Sequence, residues 1–288
     1  MPRTRSAISQ ARLLGAVFWQ LRCDLLAVVA VALAMAAASA FIPLSGVAGV
    51  VPLLGIVVSI FIGFRNSNAV NRWSEARTLW GAMVANCQSI SNALVAVDEG
   101  SPEMAATLDR MRRRQVRHAW QVAAELRGIP VDSAVRDLTP EDPEDATPRN
   151  LLTLQAFDIR DLVAAELLDR QGRSILTNLN SAQASTAAGL ERVRTNPIPP
   201  YYAAFVRALA WFFGIMVCTR VDANGHHSLQ GILLGILVMA LFVVAERMGH
   251  FAEGALGNSA FALPMDDYCA QITADLLGTR HPIAATRK

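Results

Sequence analysis

The chain has 288 residues, of which 53% are hydrophobic and only 17% are charged, and its mean hydropathy is +0.32. Soluble domains carry about a quarter charged residues, so this composition favours an integral membrane protein and argues against a disordered chain. A net charge of +2 and four scattered cysteines without a CxxC pair give no sign of a nucleic-acid binder, a disulfide framework or a zinc ribbon.

Four apolar runs are long enough to predict membrane-spanning helices, since a helix needs about 20 apolar residues to cross the hydrocarbon core. These runs form two hairpins and cover residues 25–44, 47–64, 203–219 and 229–245. Arginines precede the first and third runs and follow the second and fourth, which predicts that both termini are cytoplasmic. We therefore expect a multi-pass protein in contact with membrane lipid.

Between and after the hairpins, apolar residues recur at helical spacing among charges. This pattern predicts helices at residues 65–98, 103–127, 151–170 and 173–194, separated by an exposed loop at 128–150. Prolines exclude regular helix at 195–202. The basic cluster at 110–117 is expected to be a solvated helix face paired with Glu and Asp residues elsewhere. The predicted fold is all-α, one domain over 1–288, with a helical cytosolic body at 65–200 and 246–288.

The second predicted span carries a regular stripe of large apolar side chains. Ile56, Ile60 and Phe64 recur every four residues and so share one helix face. A neighbouring face has only small residues, which allow helices to pack closely: Gly55, Ser59 and Gly63. If several copies surround an axis, each large side chain becomes a ring, and hydrophobic rings can gate a pore by dewetting.

The same stripe continues beyond Phe64 into polar residues. Asn68, Asn71 and Glu75 follow on this face and would suit a wider, wet vestibule. Periodicity alone leaves an alternative open, because most apolar stripes on membrane helices face lipid or a helix bundle. Symmetry about an axis does not follow from the composition of one helix.

Three segments resemble the bacterial homologues of the bestrophin family. Residues 63–66 read GFRN and lead into RWSEAR at 72–77 and LWG at 79–81. Residues 194–202 read RTNPIPPYY, which is similar to the family's proline turn before the third membrane helix. Residues 263–269 read LPMDDYC, similar to another family segment. The segments occur in the family's order along nearly the whole chain.

This resemblance implies a homopentamer with one central pore for small monovalent ions in the bacterial inner membrane. It implies a hydrophobic neck at Ile56, Ile60 and Phe64. It also implies a narrow cytosolic aperture on the helix at 173–194, for which Leu179 is the first choice and Leu176 the second. Bacterial relatives with this neck pattern are associated with cations, so we expect cations to be favoured over chloride.

Alternatives to a cation channel are an anion channel of the same fold and a non-conducting membrane scaffold or signalling protein. A membrane enzyme would need a chemical site, and no nucleophile–base–acid set stands out. We expect no enzyme activity and no cofactor. Glu246, His250 and Glu253 share a face after the fourth span, at a spacing that could bind a metal. A polar face that is solvated near the headgroups or paired with Arg247 is a simpler interpretation.

Overall fold

The computed structural model describes residues 3–39, 50–221, 229–257 and 262–284, and all regular secondary structure in these ranges is helical. The all-α prediction is confirmed for this part of the chain. The helices are α1 (Arg3–Ser39), α2 (Val50–Ala96), α3 (Pro102–Arg127), α4 (Ser133–Arg136), α5 (Pro148–Ala164), α6 (Arg170–Thr195), α7 (Pro200–Val221), α8 (Leu229–Glu253) and α9 (Met265–Leu277), with a final 3-10 turn at Pro282–Ala284.

The chain divides into two compact units, and the division falls at Trp73 within α2. The first unit holds α1, the first half of α2, α7 and α8. The second unit holds the rest of α2, α3 to α6 and α9.

Three described helical segments are long and apolar enough to cross a membrane: Val50–Ala96, Pro200–Cys218 and Gln230–Glu253. They correspond to the second, third and fourth predicted spans. The last residues of the first predicted span, 25–44, lie outside the described residues. So do the start of the second span and the loop at 222–228. Within the described residues, α1 continues unbroken to Ser39.

Apolar side chains hold the helices of the first unit together. Val28 of α1, Cys218 of α7 and Met239 of α8 belong to one buried cluster. A second cluster joins α2 to α7 through Val58 and Phe213. Aromatic contacts reinforce this packing, with ring centroids 5.5 Å apart for Phe61–Phe205 and 4.6 Å apart for Phe213–Phe242.

The second unit has its own apolar core. Helices α2, α3, α5 and α6 meet in it through buried aliphatic and methionine side chains: Ile90, Leu94, Met104, Leu108, Met111, Ile159, Leu162 and Leu176. Helix α9 adds a stacked aromatic pair, Trp80–Tyr268, with centroids 5.8 Å apart. It also contacts α3 where Trp120 Nε1 donates to Thr273 Oγ1 at 3.1 Å.

The predicted helix at 151–170 is wrong beyond Ala164. Glu166 adopts a left-handed conformation with φ +59, which turns the chain out of α5. Asp169 then caps α6, because its Oδ1 accepts a hydrogen bond from the Gly172 N–H at 2.6 Å. No glycine marks this turn, so the sequence pattern gave no stop signal there.

Two other predicted boundaries are corrected. The loop at 128–150 contains the short helix α4, and α5 begins inside it at Pro148, after Thr147 caps the first turn by accepting from Asn150 N–H at 3.2 Å. Residues 195–202 include the end of α6 and the start of α7. Pro200 opens α7 without penalty, since the first turn of a helix has no use for the missing N–H.

The predicted pairing of the basic cluster on α3 with acidic residues is confirmed, but part of the cluster is buried and not solvated. Arg114 and Arg117 are buried, and they hold the segment that follows α4. Arg114 binds Asp142 through two hydrogen bonds of 2.7 and 2.6 Å and also binds Asp158. Arg117 donates to the backbone carbonyls of Thr139 and, at 2.6 Å, of Pro143. These arginines therefore act as internal supports.

We expect acid to destabilise the second unit through His118. Burial lowers the pKa of this imidazole from 6.5 to about 4, because the charged form would lose its hydration. The unfolded chain therefore binds a proton that the folded chain does not. Stability is complete above pH 6.5 and falls as the pH drops towards 4. Thermal denaturation across this interval should show the fall, and His118→Phe should reduce it; identical pH profiles would contradict this.

Candidate pore-lining surface

The predicted neck residues lie on an exposed face of α2. Ile56, Ile60 and Phe64 are 60%, 51% and 63% exposed in the protomer. The opposite face of the helix is buried, with Val58 and Ile62 packed against α7. The protomer thus leaves three large apolar side chains at four-residue spacing without cover, and either lipid or other copies of the chain must shield them from water.

The predicted small-residue face is in close contact with α7 at one position. A Cβ added at Gly55 would lie 3.0 Å from the Phe213 ring, so only glycine fits there without a shift. Ser59 directs its hydroxyl back to the Gly55 carbonyl at 2.7 Å. A Cβ at Gly63 would meet no atom within 4 Å. Close helix packing is therefore confirmed at Gly55, and for Gly63 it stays a prediction.

The polar residues that continue the stripe are also exposed. Asn68 and Asn71 lie on the exposed face of α2 in the first unit. Glu75 lies in the second unit, where its carboxylate accepts a hydrogen bond from Arg192 of α6 at 2.7 Å. The side chains of Arg192 and Glu75 are 66% and 44% exposed. Glu75, the one carboxylate of the predicted vestibule, is therefore paired with Arg192, and Arg192 has the more exposed side chain of the two.

A buried arginine, Arg65, directly follows Phe64, the last residue of the apolar stripe on α2. Arg65 donates to Glu246 and, at 3.0 Å, to Glu253, both on α8. Asn66 adds a bond of 2.9 Å to the carbonyl of Ala245. Paired charges of this kind fix the contact between two helices at the point where α2 leaves its apolar segment. The sequence pattern missed this partner because Arg65 and Glu246 are far apart along the chain.

Of the two non-metal interpretations of the polar face on α8, pairing with Arg247 is wrong. Arg247 instead binds Asp24 of α1 at 2.7 and 2.9 Å, and Arg207 of α7 donates to the same carboxylate at 3.2 Å. The carboxylates of Glu246 and Glu253 are occupied by Arg65. Among the described residues, no group of three or more histidine, cysteine, aspartate or glutamate side chains is arranged to hold a metal ion.

The two residues predicted for the cytosolic aperture differ in exposure. Leu176 is buried in the apolar core of the second unit, whereas Leu179 is only partly buried and packs against that core. A side chain that lines a passage must reach a surface. Both residues stay predictions for the aperture, and of the two Leu179 has the more exposed side chain.

The sequence matches the family described as "Bacterial/Fungal Bestrophin protein" over residues 2–278. It is 27% identical over 232 residues to the "Voltage-dependent anion channel-forming protein YneE" of Escherichia coli strain K12, covering 78% of this chain and 74% of that one. It is 26% identical over 234 residues to "Voltage-dependent anion channel-forming protein sll1024" of a Synechocystis species, covering 77% and 74%.

The fold is similar to the crystal structure of a bacterial bestrophin homologue from Klebsiella pneumoniae. The TM-score is 0.82 at 23% sequence identity, and the similarity covers 91% of this chain and 100% of that one. The family match spans nearly the whole chain and includes the three segments on which the resemblance rested. The protein therefore belongs to the bacterial and fungal bestrophin family.

Proposed function

We propose that the protein is an ion channel of the bacterial inner membrane, in which several copies, five by family resemblance, surround one pore. Both termini lie in the cytoplasm. Ile56, Ile60 and Phe64 face the axis as the neck, and Asn68 and Asn71 widen into a wet vestibule. The observation that carries this proposal is the uncovered stripe of large apolar side chains on α2.

The polar continuation of the stripe supports a pore. A passage that widens beyond its constriction fills with water, where amide side chains are well solvated. Here Phe64 is followed on the same face by Asn68 and then Asn71, both exposed. The buried pair of Arg65 and Glu246 also holds this part of α2 against α8 from the opposite side. A fixed helix suits a constriction.

We propose that the channel passes small monovalent anions, and this replaces the cation preference expected from the neck pattern. The neck rings are uncharged, so they do not distinguish anions from cations. Selectivity between the two therefore depends on charged groups near the passage. The Glu75 carboxylate is paired with the more exposed Arg192, which removes the acidic ring that a cation channel would use. The curated relatives named above are called anion channel-forming, which supports the same choice.

Reversal potentials of purified protein in planar bilayers test the selectivity. In a gradient of potassium chloride, the reversal potential should lie near the chloride equilibrium value. Replacing potassium with a bulky organic cation should leave the reversal potential unchanged. Replacing chloride with gluconate should shift the reversal potential. Reversal near the potassium value would contradict anion selectivity. Absence of any current would contradict the channel itself.

Arg192→Gln tests the charge argument in the same bilayers. The variant exposes the Glu75 carboxylate, so the reversal potential should shift towards the potassium value. Arg160→Gln is the matched control, because Arg160 forms an exposed pair with Asp161 elsewhere on the second unit. An unchanged reversal potential in Arg192→Gln would remove this pair from the selectivity argument.

We expect Leu179→Ala to increase single-channel conductance, because a smaller side chain widens the proposed aperture. Thr177 is the control, since it lies on the same helix with an exposed side chain but on the opposite face from Leu179. Thr177→Ala should leave conductance unchanged. Equal conductance in wild type and Leu179→Ala would exclude Leu179 from the narrowest part of the passage.

A further inference from the structure

A cavity of about 770 Å³ lies within the second unit, between α3, α5 and α6. This volume is in the range of small-molecule sites. Its walls combine small and aliphatic side chains with a few polar ones, among them His118, Val122, Leu152, Ala156, Asn180 and Ala184. None of these residues belongs to the proposed neck or aperture.

Two side chains on the cavity wall carry buried polar atoms that find no hydrogen-bond partner among the described residues. The imidazole of His118 is fully buried, and neither of its ring nitrogens makes a hydrogen bond to any described residue. The Asn180 side chain donates to the Leu152 carbonyl at 2.9 Å, but its own oxygen accepts nothing from the described residues. Buried polar groups are nearly always satisfied, so these two point to a bound molecule.

The charges around the cavity are balanced. Arg149 and Arg194 lie on its wall together with Glu125 and Glu191, and Arg194 also donates to the Glu125 carbonyl. His118 contributes no charge, because burial lowers its pKa to about 4. The neutral imidazole offers one donor and one acceptor. The two arginines and two glutamates leave the cavity wall without net charge, and the neutral imidazole gives an ion beside it no compensating charge of its own.

We propose that this cavity binds a small uncharged organic molecule with an apolar body and a carboxamide or hydroxyl group. The polar group hydrogen-bonds to the His118 imidazole and donates to the Asn180 oxygen. The apolar body lies against Val122, Leu152 and Ala184. A carboxamide satisfies both protein groups at once, since it carries two N–H donors and one acceptor oxygen.

Benzamide is the probe, and benzoate and benzamidinium are its charged analogues of the same shape. Binding to the full chain in detergent is measured by saturation-transfer NMR and by the imidazole signals of ¹⁵N-histidine-labelled protein. Benzamide should bind about tenfold more tightly than either analogue and should shift the His118 signal. His118→Phe keeps the ring but removes both hydrogen-bonding nitrogens, so it should weaken benzamide binding about five- to tenfold.

A second variant separates binding from folding. Ala184→Phe leaves His118 in place but fills the cavity, so it should abolish benzamide binding without lowering the thermal midpoint. Equal affinity for the three probes would overturn the proposal, as would benzamide binding that neither variant changes. Absence of saturable benzamide binding to the wild type would also overturn it, and would assign the cavity to water or to a neighbouring copy of the chain.

Discussion

Replacing Ile60 with alanine is expected to raise ion flux about tenfold, which corresponds to about 1.4 kcal/mol off the barrier. Ile60 is the middle residue of the uncovered stripe on α2. In the proposed assembly its truncation widens the central ring of the neck, so water remains in the constriction and an ion keeps more of its hydration shell. The measurement is anion efflux from liposomes at matched protein density.

Leu237→Ala is the control for this experiment. Leu237 is an exposed apolar residue in the middle of α8, and the proposed pore does not include it. Its truncation should leave efflux unchanged. If Ile56→Ala, Ile60→Ala and Phe64→Ala all conduct like the wild type, the stripe faces lipid and the assignment of the neck fails.

Arg114→Met is expected to destabilise the second unit by about 3–5 kcal/mol, because it leaves the buried Asp142 carboxylate without its cation and leaves Asp158 with Arg110 alone. Arg114 is the shared partner of Asp142 and Asp158. Although burial alone would raise the pKa of Asp142, the hydrogen bonds and charge of Arg114 hold it below its usual value. The stabilisation is therefore present above the usual aspartate pKa and is lost as the pH falls through the lowered one.

Thermal denaturation of the full chain measures this effect, and the midpoint should fall by about 10 °C. Arg160→Met is the matched control: the same substitution breaks the exposed pair with Asp161, which contributes about 0.5 kcal/mol or less. Adding Asp142→Asn to Arg114→Met should recover part of the loss, since it removes the carboxylate that the first substitution leaves unpaired. Equal midpoints for Arg114→Met and Arg160→Met would mean that the buried cluster does not support the fold.

Hydropathy and helical spacing were sufficient for the all-α class, three of the four predicted spans and the exposed stripe on α2. These features depend on local composition, which the sequence shows directly. Leu176 and Leu179 could not be separated this way, because both have the spacing of one helix and only the packing of α6 shows which one is buried.

The ion pairs could not be predicted from the sequence for a different reason. Arg65 finds its partners on α8, and Arg114 finds one of its partners on α5, so neither pair has a short-range signal. Spacing along one helix suggested that Glu246 pairs with Arg247, whereas tertiary packing gives each of them another partner. The end of α5 at Ala164 was missed because the left-handed residue in the turn that follows is Glu166 and not a glycine.

The shared carboxylate of Asp24 has a consequence for biogenesis. Asp24 is made early in synthesis, but the arginines that neutralise it, Arg207 and Arg247, lie 183 and 223 residues later. Until both arginines have been synthesised, the Asp24 carboxylate has neither of the cations that it pairs with in the folded chain. The contacts of α1 are therefore completed only when α8 is made, and a chain truncated before Arg207 should hold α1 less firmly.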